Sequence, residues 1–321
     1  MKITVLDGHT LNPGDLDWHE LHSLGECAIY DRTPPDKVRE RTQNAEALLT
    51  NKTILSAELM DALPKLKYIG VLATGYNVVD IDAARKHHIV VTNIPAYSTE
   101  SVAQMVFAHI LNITQRVQHY SEEVRKGIWT NSIDFSFWDT PLIELAEKKI
   151  GVVGLGNIGW RVAQIASAFS MKVYAYTSKP ASQLLPEIIK SELDELFSMC
   201  DVISLHCPLT EKTHELVNAR RLSLMKPTAI LINTGRGLLI NEQDLADALT
   251  NQVIFAAGLD VLSTEPPHPS NPLLSVKNCY ITPHIAWASY AARKRLMNIA
   301  VGNLKAYMEG KTPNNVVTFN T

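Results

Sequence analysis

Four polar residues stand just beyond apolar runs. Arg236 follows a buried-looking run in AILINTGRGLLINEQDL. Asp260 and Glu265 lie in GLDVLSTEPPHPSNPLL, and His284 in ITPHIAWAS. A guanidinium can grip a carboxylate through two parallel N–H bonds and stays charged. An imidazole trades a proton near neutral pH. A neighbouring carboxylate such as Glu265 would raise that pKa and fix the ring's orientation. If the strand ends converge, the set suits reduction of a ketone: Arg236 holds the substrate carboxylate and polarises the carbonyl, and His284 protonates the nascent alkoxide. Each residue also has a blander reading. Arg236 could serve a surface ion pair. His284 is one of eleven histidines, and His206 and His214 compete with it near another strand end.

Such a reduction needs a hydride, and KKIGVVGLGNIGWRVAQIA points to its carrier. Gly154-x-Gly156-x-x-Gly159 follows a strand pattern and opens a helix pattern. The first glycine permits a tight turn, the second lets backbone approach a pyrophosphate, and the third lets helix and strand pack closely. The phosphates then meet free N–H groups near Asn157 and Ile158. The blander alternative is a glycine-rich structural turn. About 20 residues on, such units usually carry an Asp or Glu for the adenosine ribose. Here the next strand runs out into Thr177, Ser178 and Lys179. NAD loses an anchor there and NADP loses a repulsion. Ser178 and Lys179 could contact a 2′-phosphate, or Lys179 could simply be a solvated loop lysine. The pattern supports NAD(H) or NADP(H) and leaves the preference open.

Elements that must position these residues follow from strand–helix alternation along the chain. Candidate strands are KITVLDG, ECAIYDR, AEALLTN, LKYIGVLA and HIVVTNI, then KIGVVG, MKVYAY, CDVISLH, TAILIN, FAAGLDV and NCYITPH. Helical spacing fills the intervals, so parallel sheets with helices on both faces are expected: an α/β protein. At Pro95 the character changes. A long helix is expected from Ser98 towards Gly127, followed by the irregular aromatic stretch IWTNSIDFSFWDTPLIEL. Its rings either pack on their own domain or form a subunit contact. The last strand leads into the helical SYAARKRLMNIAVGNLKAYMEG, and the VV of the tail TPNNVVTFNT is expected to fold back onto the body.

The 321 residues suit two domains, and with 46% hydrophobic and 20% charged residues the composition is that of a globular protein. A net charge of -3 gives no global field for nucleic acid or anionic membrane, so local cations must hold an anionic substrate. No apolar run is long enough to span a bilayer. The N-terminus enters a strand at once, without a leader pattern. Cys27, Cys200, Cys207 and Cys279 show no metal-site spacing, so no metal is expected, and isolated buried thiols fit a reducing cytoplasm.

Along nearly the whole chain the sequence resembles the D-isomer-specific 2-hydroxyacid dehydrogenases: VLATGYNVVD, VVGLGNIG, HCPLTEKT, INTGRG, GLDVLSTEP and TPHIAW occur in that family's order. ATGYNVVD and TPHIAW look most like its glycerate dehydrogenase, or hydroxypyruvate reductase, branch. The resemblance implies two doubly wound parallel-sheet domains, with a Rossmann dinucleotide-binding domain (98–287) inserted in a flavodoxin-like substrate domain (1–97 plus 288–321). It implies that Arg236, Glu265 and His284 are catalytic, that Asp260 bonds the nicotinamide carboxamide, and that Pro208 and Thr234 face the cofactor. It further implies that Thr74, Gly75 and Tyr76 bind substrate carboxylate through backbone N–H groups, that Trp287 lines the substrate side, that the domains close over a cleft, and that the chain forms a homodimer. The implied reaction reduces hydroxypyruvate or glyoxylate to D-glycerate or glycolate with NAD(P)H. D-lactate, formate and phosphite dehydrogenases are similar enough to remain alternatives. So does a role as a dinucleotide-sensing corepressor like the C-terminal binding proteins. Most of the family has Asp where this chain has Thr177, and members without it often accept NADPH.

Overall fold

A computed structural model describes residues 1–317. The chain forms two compact units, one made of Met1–Ser98 with the segment from Ala288 onward, the other of Thr99–Trp287.

In the first unit, β1 (Lys2–Val5), β2 (Glu26–Ile29), β3 (Ala47–Thr50), β4 (Tyr68–Val71) and β5 (Val90–Thr92) form a parallel sheet in the order β2-β1-β3-β4-β5. This is the flavodoxin-like winding, whose order reverses between β1 and β3. Every residue of β3 and β4 is buried, as expected where helices cover both faces of a sheet. The short helix Ala57–Asp61 is capped by Ser56 and Ile81–Lys86 by Asp80, each side chain accepting from the N–H three residues on. The helix Tyr290–Met308 also belongs here. Its Arg293 grips Asp15 with two bonds (2.7 and 2.6 Å), and Arg295 donates to the Tyr97 carbonyl. The tail's VV folds back as expected: Val316 N–H donates to the Val91 carbonyl, and Val317 is buried. Residues 318–321, the rest of that tail, lie outside the described residues.

The second unit contains β6 (Lys149–Val153), β7 (Lys172–Tyr176), β8 (Ile188–Lys190), β9 (Val202–Leu205), β10 (Ile230–Asn233), β11 (Ala256–Leu259) and β12 (Cys279–Ile281). All pair in parallel, in the order β12-β11-β10-β9-β6-β7-β8. That is the Rossmann winding with one added strand, reversing between β6 and β9. Sequence reading missed β8. It has three residues with only Ile188 buried, too short to show alternation.

The long helix expected from Ser98 is two helices. Thr99–Gln115 ends at Arg116, which adopts a left-handed conformation (φ 50°), and Val117–Arg125 starts beyond it. The irregular stretch then divides in character. Phe137 packs edge-on against Tyr120, whereas Ile133, Phe135 and Trp138 are 103%, 92% and 68% exposed. All four thiols are free, but only Cys200 is fully buried. Among the described residues no helix is long and apolar enough to cross a membrane, and no group of three or more His, Cys, Asp or Glu could hold a metal.

Candidate active site

Both sheets carry their notable polar residues beyond the carboxyl ends of strands, where ligand crevices form in open α/β sheets. In the second unit, Gly154 follows β6, Thr177 follows β7, Thr234–Arg236 follows β10, Asp260 follows β11 and Thr282–His284 follows β12.

The glycine turn has the stereochemistry a dinucleotide needs. Gly154 has φ 95°, and a Cβ there would sit 2.6 Å from the Cys207 nitrogen. A Cβ on Gly159 would lie 2.0 Å from the Gly154 carbonyl oxygen, so helix and strand could not pack this closely with any side chain. Gly156 instead faces open space, with nothing within 4 Å of where a Cβ would be. It caps the helix Asn157–Ala168 with no side-chain bond, which leaves the N–H groups of Asn157 and Ile158 pointing out as an anion cradle. Across the turn, Thr234 is buried and its Oγ1 has no hydrogen-bond partner among the described residues. A buried hydroxyl left unpaired is costly. An open backbone cradle and an orphaned hydroxyl are what a bound dinucleotide would complete, so the residues present fit that group. Pro208 is exposed in the loop after β9, and its carbonyl accepts from Thr213 Oγ1 at 2.7 Å.

Beyond β7, Thr177 Oγ1 accepts from the Lys179 N–H at 3.2 Å, and Ser178 is exposed. Lys179 is half-buried, with its ammonium 5.2 Å from the centre of the Trp160 ring. Its stem is therefore packed rather than loose.

His284 and Glu265 meet. Glu265 Oε2 lies 2.6 Å from His284 Nδ1, and Glu265 Oε1 accepts from Leu262 N–H at 3.2 Å. A carboxylate on Nδ1 selects the tautomer with the proton there and turns Nε2 outward. Both side chains are about a third exposed, at 32% and 35%, so Nε2 can be reached. His284 also has a positive φ of 53°, uncommon for a residue with a side chain. Asp260 supports it. The carbonyl of Asp260 accepts from His284 N–H at 2.8 Å, and its carboxylate accepts from the Ile285 N–H (2.9 Å), the Ala286 N–H (2.8 Å) and Thr282 Oγ1 (2.6 Å).

Arg236 is exposed and has no ion-pair partner among the described residues; its Nη1 donates to the neighbouring Gly235 carbonyl at 2.8 Å. Its turn is held by the fully buried Asn233, which accepts from Gly235 N–H and donates to the Arg236 carbonyl. Gly237 brings this turn against the loop that carries Glu265: a Cβ on Gly237 would sit 1.9 Å from the Leu262 carbonyl carbon. Trp287 is half-buried and ends the second unit.

Several supporting residues escaped the sequence reading. Asn233 had a signal, as a polar residue closing a fully apolar strand. Glu242 accepts from Ser263 N–H, Ser263 Oγ and Asn271 Nδ2, pinning both ends of the Glu265 loop. Ser101 donates to the Ala286 carbonyl at 2.6 Å. The buried His109 lies 3.2 Å from Thr282 Oγ1, and burial lowers its pKa, so it is held neutral. Nothing local marks those three. Of the competing histidines, His206 bonds Ser204, and burial pushes its pKa down to about 4. His214 is exposed.

In the first unit, Thr74–Gly75–Tyr76 follows β4. Thr74 Oγ1 donates to the Ile94 carbonyl, Asn93 Nδ2 donates to the Thr74 carbonyl, and buried Asn51 donates to the Leu72 carbonyl at 2.7 Å. The N–H groups of Gly75 and Tyr76 have no hydrogen bond among the described residues, and Tyr76 is 40% exposed.

Comparison with known proteins places the chain. Residues 107–286 match the D-isomer specific 2-hydroxyacid dehydrogenase, NAD binding domain. Over 321 residues the chain is 50% identical to the hydroxypyruvate reductase of Blautia hydrogenotrophica, covering 99% of each chain. Among solved structures it is similar to the D-lactate dehydrogenase of Aquifex aeolicus complexed with NAD and lactic acid, with a TM-score of 0.85, 30% identity and all of both chains covered. It is also similar to an acyclic imino acid reductase in complex with NADPH and D-Arg, with a TM-score of 0.84 and 32% identity over 99% of this chain and 100% of that one. The chain belongs to the D-isomer-specific 2-hydroxyacid dehydrogenase family. It is an NAD(P)-dependent oxidoreductase acting on CH–OH groups.

Proposed function

We propose that the protein reduces hydroxypyruvate to D-glycerate, with glyoxylate as a second substrate. The observation that carries the chemistry is the 2.6 Å pair between His284 Nδ1 and Glu265, which leaves Nε2 as the reachable nitrogen. Half of all positions shared with a hydroxypyruvate reductase supports the choice of substrate.

In this reading Arg236 holds the substrate carboxylate and draws electron density from the adjacent carbonyl. The N–H groups of Gly75 and Tyr76 are suited to binding a carboxylate, and Trp287 is assigned to the substrate's side. A nicotinamide supplies the hydride when bound. As the C=O π pair moves onto oxygen, His284 Nε2 delivers its proton there. Glu265 stabilises the cationic ring that donates this proton, and it keeps Nδ1–H in place in the neutral ring the transfer leaves. Oxidation of the alcohol retraces these steps, with His284 as base.

For the cofactor, Gly154, Gly156, Asn157, Ile158 and Gly159 would cradle the pyrophosphate. Thr234 Oγ1 and Pro208 would face the dinucleotide. Asp260 would reach the nicotinamide carboxamide, a role it would share with the loop-holding bonds above. The turn Thr177-Ser178-Lys179 offers a cation and a hydroxyl where an acid would repel a 2′-phosphate, which supports use of NADPH. The exposed Ile133, Phe135 and Trp138 support a homodimer buried through the 128–142 stretch. Four free thiols suit the cytoplasm.

Initial rates with hydroxypyruvate, comparing NADH and NADPH, test the reading. Turnover with either cofactor, abolished in His284→Ala, is expected. Inertness towards 2-oxo acids with turnover of formate or phosphite would transfer the assignment to those anions, and dinucleotide binding without any turnover would favour a scaffold. A monomeric mass by light scattering would reject the dimer.

A further inference from the structure

The first unit contains a groove of about 610 Å³ that the reductase reading does not use. It opens beyond the carboxyl ends of β1, β2 and β3, where the strand order of the five-stranded sheet reverses. In open α/β sheets that is where ligands bind. None of the residues 74–76 lines it.

Its walls carry more positive than negative charge. Arg32 and Arg39, from the segment after β2, and Lys52, from the loop after β3, all line it. Each is exposed, and none has an ion-pair partner among the described residues. Of the two carboxylates that line it, Asp7 is committed to the protein. It accepts from the N–H groups of Asn51 (2.7 Å), Lys52 (2.7 Å) and Thr53 (2.8 Å), and from the hydroxyls of Thr53 and Thr50. Its donors are neutral and leave its charge in place, so Asp7 and Glu58 together oppose three cations, a local excess of one positive charge, and only Glu58 has a carboxylate free to compete for them. In a chain of net charge -3, that local excess runs against the whole. A concave site with a local excess of one charge favours the opposite ion. Buried Val38, with Leu59 and the 72% exposed Ile54, adds an apolar wall.

We propose that this groove binds a small phosphorylated organic anion. The phosphoryl group would lie among Arg32, Arg39 and Lys52, and the carbon skeleton against Val38 and Leu59. Two guanidinium groups offer paired N–H donors to phosphate oxygens, and Lys52 adds a point charge.

Occupancy is transmitted to the substrate loop along a short path. The bound anion touches the 52–53 loop that Asp7 holds. Asn51, in the same loop, donates to the Leu72 carbonyl at 2.7 Å, and Leu72 N–H donates to the Thr50 carbonyl at 2.7 Å. Leu72 leads directly into Thr74–Tyr76. This coupling rests on the carboxylate-binding role proposed for that loop; the binding itself does not.

The test is titration calorimetry of the full chain with inorganic pyrophosphate, at saturating NADPH or NADH so that the glycine turn is filled. The expected result is one site whose affinity falls with salt and drops at least tenfold in Arg32→Gln/Arg39→Gln, and also in Lys52→Gln. Unchanged thermal midpoints would show that the variants fold. No binding by the parent chain, or equal binding by the variants, overturns the site. Displacement of pyrophosphate by hydroxypyruvate also overturns it, because the anion would then occupy the substrate's place. An unchanged KM for the 2-oxo acid with the site filled overturns the coupling. Pyrophosphate binding in a chain that turns over no 2-oxo acid would instead count against the reductase reading alone.

Discussion

The two sheets deliver their functional groups differently. In the seven-stranded sheet, side chains are presented: Arg236 is exposed and His284 partly so, each on a turn stapled by a buried polar residue, Asn233 or Asp260. In the five-stranded sheet, the loop after β4 presents backbone. There the side chains of Asn51, Thr74 and Asn93 bond carbonyls, and the N–H groups of Gly75 and Tyr76 are what remains. One unit leaves these side chains accessible, and the other uses its side chains to hold a loop still.

That contrast sets the size of effects. The largest is expected in the first group. Arg236→Ala should lower kcat/KM for hydroxypyruvate by about 10³-fold, since charge stabilisation and carboxylate binding are lost together. Steady-state kinetics read this directly, and a loss below tenfold would remove Arg236 from the chemistry.

Glu265→Gln comes next. It keeps the shape but not the charge facing Nδ1, and kcat should fall on the order of 10²-fold with KM nearly unchanged. A variant with full kcat would show that the 2.6 Å contact is only structural.

In the backbone-presenting unit the effect should be smaller and of another kind. Asn51→Ala leaves the Leu72 carbonyl short of a donor, a cost of about 1–3 kcal/mol. KM for the 2-oxo acid should rise about fivefold to tenfold while kcat stays within about twofold, because in the proposed function the loop binds and does not react. A fall in kcat at constant KM would erase the distinction between the two sheets.

The smallest effect belongs to Lys179→Ala. A partly exposed charge contact contributes roughly 0.2–1 kcal/mol, so KM for NADPH should rise up to about fivefold and KM for NADH should not move. Equal changes for both cofactors would assign Lys179 to packing on Trp160.

Legibility in the sequence followed the same divide. Glycines at 154, 156 and 159 are marked by type and spacing; the structure gives Gly154 and Gly159 a steric reason each, while Gly156 faces open space. Arg236, Glu265 and His284 stood out in the sequence because few residue types can offer a fixed cation or a proton near neutral pH, and the structure brings Glu265 and His284 together. The loop at 74–76 was not legible from residue chemistry, since backbone N–H groups exist at every position except proline; only family resemblance pointed there. Strand β8 and the break at Arg116 were missed because a three-residue edge strand and a single left-handed residue leave almost no periodic signal.

By itself the sequence determined the alternation that builds parallel sheets, the glycine turn, and the kinds of side chain available for proton transfer and carboxylate binding. Periodicity and residue type are local, so they can be read locally. Tertiary structure alone decided which nitrogen of His284 faces Glu265, that Asp260 and Asn233 hold the turns beside it, that Thr234 has a hydroxyl left over, and that three cations share one groove in the first unit. Apart from the local bonds of Asn233, those facts depend on hydrogen bonds and packing between residues distant in the chain, and such pairings exist only once the strands have taken their order.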